Sequence, residues 1–227
     1  MNQNVTTNQI LQHNGRMVVL GSQSPRRLEL LRHVVGRSAL SVVPPLHSEE
    51  LSFTDLTAVS DIEERLLEVV RNKRDDVAAQ GDSQSAVILC ADTIVVVTDP
   101  NNTCRVLGKP PQDCWQATVR DWFLKYYSQQ THEVWTGFEV FGPDGRQSRI
   151  VKTAVTMQEI DSRTIDWYLS TSEPVGKAGG YGIQGHAAMF VSRVDGSLTN
   201  VIGLPVSEVA VALEHAGVPV CTVDTTG

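Results

Sequence analysis

The sequence predicts a single α/β domain with two lobes, and three observations carry that reading. The segment AVILCADTIVVV, from Ala86 to Val97, is a run of apolar and β-branched residues suited to a buried strand. Segments 25–35 and 61–79 repeat apolar residues at the spacing of helices packed along one side. No polar linker, repeat or low-complexity tract splits the 227 residues into independent cores. Residues 1–15 are polar and read as a disordered extension, leaving 16–227 as the domain.

Taken in order, Met17–Leu20 reads as a first short strand. Ser24 is placed as an N-cap with Pro25 at the first helical position, where a missing N–H costs nothing. Leu28, Leu30, Leu31, Val34 and Val35 give that helix its apolar face, and Gly36 can end it. Residues 39–43 form a second strand stopped by Pro44-Pro45, 46–60 are loop-like, and 61–79 are helical. After the β-rich run, Asp99-Pro100-Asn101-Asn102 is turn chemistry, and Arg105–Leu107 returns as the partner strand. A helix is expected from about Pro111 to Ser128, then a hairpin of 131–141 and 147–160 around Pro143-Asp144-Gly145. A short helix at 162–170 leads into a glycine-rich stretch at 176–185. A second hairpin is expected over 188–202, turning at Asp195-Gly196, and Pro205 opens the last helix.

Composition excludes several classes. A net charge of −7 argues against nucleic acid as a partner, which calls for a basic footprint. No apolar run is long enough to span a membrane. Cys90, Cys104, Cys114 and Cys221 show no paired or zinc-type spacing and read as reduced thiols. Residues 1–15 have the features of neither a signal nor a transit peptide, so a cytoplasmic enzyme is expected.

Some residues are not explained by folding alone. Ser22-Gln23-Ser24-Pro25-Arg26-Arg27 puts two arginines in the first turn of a helix, the end that disfavours cations. Free N–H groups, the Ser22 and Ser24 hydroxyls and two guanidinium forks make an anion site; the alternative is a cap followed by solvated arginines. Asp92 interrupts a strand whose flanks look buried, so it needs a cation, a metal or a raised pKa. With a hairpin tip near Pro100–Asn101, one-to-one antiparallel counting sets Asp92 opposite about Lys109, as a structural ion pair or a functional carboxylate.

Lys73 falls on the apolar stripe of Leu66, Val70 and Val77, either snorkelling to the surface or pointed at phosphate. Glu49 and Glu50 are solvated surface, or one of them joins Asp92 around Mg²⁺. The stretch from Lys177 to Gly185 allows close backbone approach to a ligand, and Gln184 can offer a donor and an acceptor to a base. It fits neither the Walker nor the G-x-G-x-x-G spacing.

Five segments in order resemble the Maf family of nucleoside triphosphate pyrophosphatases over about residues 17–216: G-S-Q-S-P-R-R-L-E-L-L at 21–31, A-D-T-I-V at 91–95, G-K-P at 108–110, K-A-G-G-Y-G-I-Q-G at 177–185 and N-V-I-G-L-P at 200–205. The resemblance implies a mixed, strongly twisted sheet flanked by helices, with two lobes and a central cleft, akin to the inosine-triphosphate pyrophosphatases. It implies hydrolysis of a nucleoside triphosphate to monophosphate and pyrophosphate with Mg²⁺ or Mn²⁺, a nucleotide-pool housecleaning role, and a homodimer.

By the same resemblance, Ser22, Arg26 and Arg27 are the phosphate-gripping turn and Asp92 the proton acceptor. Glu50 is the loop carboxylate, Lys73 the helix lysine and Lys109 the hairpin lysine, while Gln184 lies near the base. Asp92 and Glu50 would hold the metal, Lys177 would bind substrate, and Thr93 would help shape the base pocket. A branch acting on 7-methyl-GTP typically has Ser-Pro-Tyr-Arg, Ser-Asp-Gln and a glutamate where this chain has Arg26, Thr93 and Gln184, which implies the dTTP/UTP branch. The chain departs from the family at Gly21, Glu49 and Glu68-Val69-Val70, and the last leaves the register of Lys73 for the structure to decide. Rival readings are a nucleotide-sensing module linked to cell division, or a pyrophosphatase for 7-methyl-GTP or inosine triphosphate.

Overall fold

Alternating strand and helix signals produce a seven-stranded mixed sheet with helices on both faces. The computed structural model describes residues 16–35, 40–47, 51–81, 86–99 and 101–220. Strand β1 (Val18–Gly21), helix α1 (Pro25–Val35) and strand β2 (Leu40–Val42) form a pair of neighbouring parallel strands with their connecting helix. Helix α2 (Val59–Ala79) precedes strand β3 (Val87–Thr98), which lies parallel to β1. Strand β4 (Cys104–Leu107) folds back on β3, and β5 (Thr131–Gly142) and β6 (Gly145–Met157) form the long hairpin on its other side. The sheet order is β2-β1-β3-β5-β6-β7, where β7 is Val191–Asp195 and β4 pairs with β3.

The remaining helices are α3 (Trp115–Trp122), α4 (Ser162–Ser170), α5 (Leu198–Ile202) and α6 (Val206–His215). Period-two alternation along β3 sorts its side chains onto two faces. On one face Val87, Leu89 and Ala91 join α1 and α6, while Val95 and Val97 join a second cluster containing Val119, Phe123 and Tyr168. On the other face Ile88 and Cys90 pack with Val70 and Val77 of α2, and Ile94 and Val96 with Ile62 and Leu66. Asp92 and Thr93 are the polar residues at the seam between clusters, one on each face.

Three expectations are corrected. The stretch 188–202 is not a hairpin: β7 pairs with β6, and residues 198–202 are helical. Ser197 caps that helix by accepting the Asn200 N–H at 3.2 Å, and buried Asn200 anchors it through Nδ2 to the Val134 carbonyl and Thr153 Oγ1, each at 3.0 Å. Capping and tertiary anchoring thereby override the β preference of Val201 and Ile202. The helix expected from Pro111 begins at Trp115, and its last turn, Phe123–Tyr127, is π-helical. Asp92 does not stand opposite Lys109, because the β3–β4 ladder ends at Val95↔Leu107. Residues 1–15, Gly36 and Cys221 lie outside the described residues.

Candidate functional site

The cleft begins where the sheet runs out. β1 stops at Gly21 opposite Cys90, and β4 first pairs at Val95, so no strand flanks residues 91–94 on that edge. A cavity of about 640 Å³ opens there, lined by Ser22–Arg27, Asp92, Thr93 and the glycine-rich stretch. Gly21 permits the approach of β1 to β3, since a Cβ on it would lie 2.3 Å from Cys90 Sγ. Burial pushes the Cys90 thiol up to about 12, consistent with a packing role.

The two arginines divide their work. Arg27 donates from Nε to the Gly203 carbonyl at 2.9 Å, from Nη2 to Thr93 Oγ1 at 3.0 Å and from Nη1 to Ser22 Oγ at 3.4 Å. Burial pulls its guanidinium below the usual value, opposed by the nearby Asp92 charge. It is a fixed charge in the wall that also ties α1 to α5. Arg26 is exposed and lines the cleft mouth. Ser24 Oγ accepts the Arg27 N–H at 3.4 Å, as the expected cap, and the Ser24 N–H reaches Ser22 Oγ at 3.1 Å. The first turn of α1 contains no acid, and its residues Pro25, Arg26 and Arg27 line the cleft.

The partner of Asp92 is Lys73, whose ammonium donates to Oδ1; the two side chains are 14% and 21% exposed. Leu66, Val70 and Val77 are buried, so the register that puts Lys73 on the sheet-facing stripe of α2 holds. The ammonium fixes the orientation of the Asp92 carboxylate, which lines the cleft. Thr93 Oγ1 is committed to Arg27 and lies 2.9 Å from Thr136 Oγ1, which makes it part of the floor.

Lys109 and Lys177 line the opposite wall, with Gln184 exposed at its rim. The two lysines belong to segments joined by the Gly179 N–H, which donates to the Gly108 carbonyl at 2.9 Å. Gly179 has φ +67°, and a Cβ there would lie 2.6 Å from both Tyr127 Oη and Val95 Cγ2. Burial pulls the Lys177 ammonium below its usual value; Glu173 opposes this and Arg26 adds to it, so Lys177 and Arg26 share one electrostatic field. The cleft thus gathers Arg26, Arg27, Lys73, Lys109 and Lys177 in a protein of net charge −7.

Glu50, the second expected acid, lies outside the described residues. Among the described residues no group of three or more histidines, cysteines or acids is placed to hold a metal. Two features went unread in the sequence. Glu173 lines the cleft beneath the glycine-rich stretch, but a glutamate in a Thr-Ser-Glu-Pro turn carries no signal of that role. Arg74 and Glu139 form a buried pair, Nη1 to Oε1 at 3.4 Å, with Arg74 4.7 Å from the Phe141 ring centre. Arg74 follows Lys73 directly, and an Arg on the fifth turn of a helix reads as surface.

An α/β protein with a cation-lined cleft at the open end of a parallel strand pair is an anion-binding protein of nucleotide-site type. The chain belongs to the Maf-like protein family, which it matches over residues 17–216. It is 38% identical over 202 residues to a dTTP/UTP pyrophosphatase of Syntrophus aciditrophicus (strain SB), covering 88% of this chain and 90% of that one. Two further relatives with that name are those of Latilactobacillus sakei subsp. sakei (strain 23K), 37% identical over 88% of this chain and all of the other, and of Koribacter versatilis (strain Ellin345), 35% identical over 92% and all of the other.

Proposed function

We propose that this chain hydrolyses dTTP and UTP to the monophosphate and pyrophosphate. The observation that carries the reading is the meeting of five cationic side chains, Lys73 among them, with Asp92 in one cleft. A triphosphate presents a charge that such a wall can neutralise, and catalysis of phosphoryl transfer is mainly positioning and charge stabilisation. Water attacks the α-phosphorus, the bond to the bridging oxygen breaks, and pyrophosphate departs. Asp92 accepts the water's proton, while Lys73 holds the carboxylate in place. Arg26, Lys109 and Lys177 bind the phosphates, and Arg27 adds a fixed charge behind the Ser22–Ser24 turn.

The donor set fits Mg²⁺ or Mn²⁺ arriving with the substrate, since Mg²⁺ commonly binds through one or two carboxylates and substrate phosphates. Asp92 would hold it, with Glu50 as the second acid; when bound, the ion supplies charge neutralisation at the reacting phosphate. Selection of pyrimidines is assigned to Arg26, Thr93 and Gln184, in agreement with the names of the relatives. The same reading carries a cytoplasmic homodimer, testable by fractionation and by light scattering. Among the described residues no helix is long and apolar enough to cross a membrane.

The test is pyrophosphate release from a panel of natural and modified triphosphates with Mg²⁺ or Mn²⁺. Turnover of dTTP and UTP above 7-methyl-GTP and inosine triphosphate is expected, with kcat falling by about 10²–10⁴ in Asp92→Asn while the fold is kept. Binding of dTTP without pyrophosphate release would favour a sensing module, and undiminished turnover by Asp92→Asn would remove that residue from the reaction.

A further inference from the structure

The glycine-rich wall carries Lys177 and Gln184, but glycines supply no rigidity of their own. Its rigidity has another source. The Glu173 carboxylate, 10% exposed, lies beneath the wall and collects donors from three directions. Oε2 accepts the His186 N–H at 2.6 Å and lies 2.8 Å from His186 Nδ1. Oε1 accepts the Ala187 N–H at 3.3 Å and the Tyr168 hydroxyl at 3.2 Å. The Glu173 backbone carbonyl accepts the Lys177 ammonium.

The glycines fit around this residue. A Cβ on Gly185 would lie 2.3 Å from Oε2, and one on Gly182 would lie 3.0 Å from Lys177 Cε. One residue therefore fastens the wall at both ends, at Lys177 and at His186-Ala187, with Gln184 between them. Burial pushes the Glu173 carboxyl up, yet the hydrogen bonds from His186, Ala187 and Tyr168 outweigh it and hold it below the usual carboxylate range. An ionised carboxylate, which only accepts, suits four converging donors; a neutral amide would set an N–H₂ against some of them.

We propose that Glu173 is the positioning residue of the substrate-recognition wall, acting on the nucleotide through Lys177 and Gln184 without touching the reacting atoms. This rests on the triphosphate reading of the cleft, and the experiment separates the two. Glu173→Gln and Glu173→Ala are compared with the full-length wild type in steady-state dTTP hydrolysis and, without ligand, in backbone hydrogen exchange. Hydrogen bonds to a charged group are each strong enough that their partial loss is expected to raise KM about tenfold, equivalent to about 1.4 kcal/mol, with kcat changed less than about threefold. Amides of 182–187 are expected to exchange faster in Glu173→Gln, with β3 and β5 unchanged, and Glu173→Ala to go further in both measurements.

Unchanged exchange at 182–187 in Glu173→Gln overturns the proposal. So does a collapse of kcat at constant KM, which would place Glu173 in the chemistry itself. If Glu173→Ala fails to fold, Glu173→Gln decides alone. If wild type releases no pyrophosphate from dTTP, the functional reading fails and the exchange experiment still decides whether Glu173 holds the wall.

Discussion

At the scale of single residues, the approach of β1 to β3 depends on an exchange of volume between Gly21 and Cys90. The space that a methyl on residue 21 would take is filled by the Cys90 side chain, which is fully buried. An added Cβ would meet Cys90 Sγ at 2.3 Å and Val77 Cγ2 at 2.9 Å, closer than packed atoms tolerate. Gly21→Ala is therefore expected to destabilise by about 1–3 kcal/mol, the usual range for overpacking. Cys90→Ala alone should also destabilise, by opening a small void. The double variant should recover most of the loss, a coupling of about 0.5–3 kcal/mol in a double-mutant cycle of denaturant midpoints. Additive losses would mean that the two side chains do not compete for one space. Gly21 also precedes Ser22, so reduced dTTP affinity in Gly21→Ala alone would show the clash displacing the phosphate turn.

At the scale of elements, legibility in the sequence followed the range of the interactions. β3 and the β5–β6 hairpin were readable because β-branched runs and the Pro143-Asp144-Gly145 turn are local signals. β7 was misread because its partner is β6, far earlier in the chain, while the residues after it are coiled into α5 by Ser197 and Asn200. At the site, the odd arginines and the lone Asp92 stood out against their surroundings, yet the partner of Asp92 came from a helix that counting along a hairpin does not reach.

His132 shows the same non-local character. It sits on β5, 2% exposed, and its Nε2 lies 2.7 Å from Tyr181 Oη in the glycine-rich wall. Nδ1 has no partner among the described residues, and burial pushes the ring down to about 3 from an ordinary 6.5. As pH falls below 6.5 the unfolded chain takes up a proton that the folded chain refuses until about 3. Stability from this residue is thus complete above 6.5 and declines with acid, by at most about 1.4 kcal/mol per pH unit. Urea midpoints of wild type and His132→Gln between about pH 4.5 and 7 check this, the variant losing that part of the slope. Equal slopes would mean that folded His132 titrates normally.

At the scale of the whole molecule, the cleft divides two hydrophobic clusters that share one face of the sheet. α1 and α6 cover one of them and bring Arg26 and Arg27; the cluster of α3, α4 and the glycine-rich wall brings Lys109 and Lys177. Without ligand Arg26 and Lys177 repel one another across the gap, an effect that Glu173 in the same cleft opposes. On the proposed function, a triphosphate replaces that repulsion by attraction and bridges both clusters. A ligand that binds only the folded state at 100 times its Kd adds about 2.7 kcal/mol, and for a chain of this size that raises Tm by roughly 5–10 °C. A dUTP analogue with an imido bridge between its α- and β-phosphates, in Mg²⁺, is expected to give that shift. Lys109→Ala/Lys177→Ala should lose more than half of it, because the triphosphate then engages one cluster. Arg193→Ala, at an exposed ion pair on β7, should keep all of it. A full shift in the double lysine variant would place the bound phosphates entirely on the α1 side and refute the bridge.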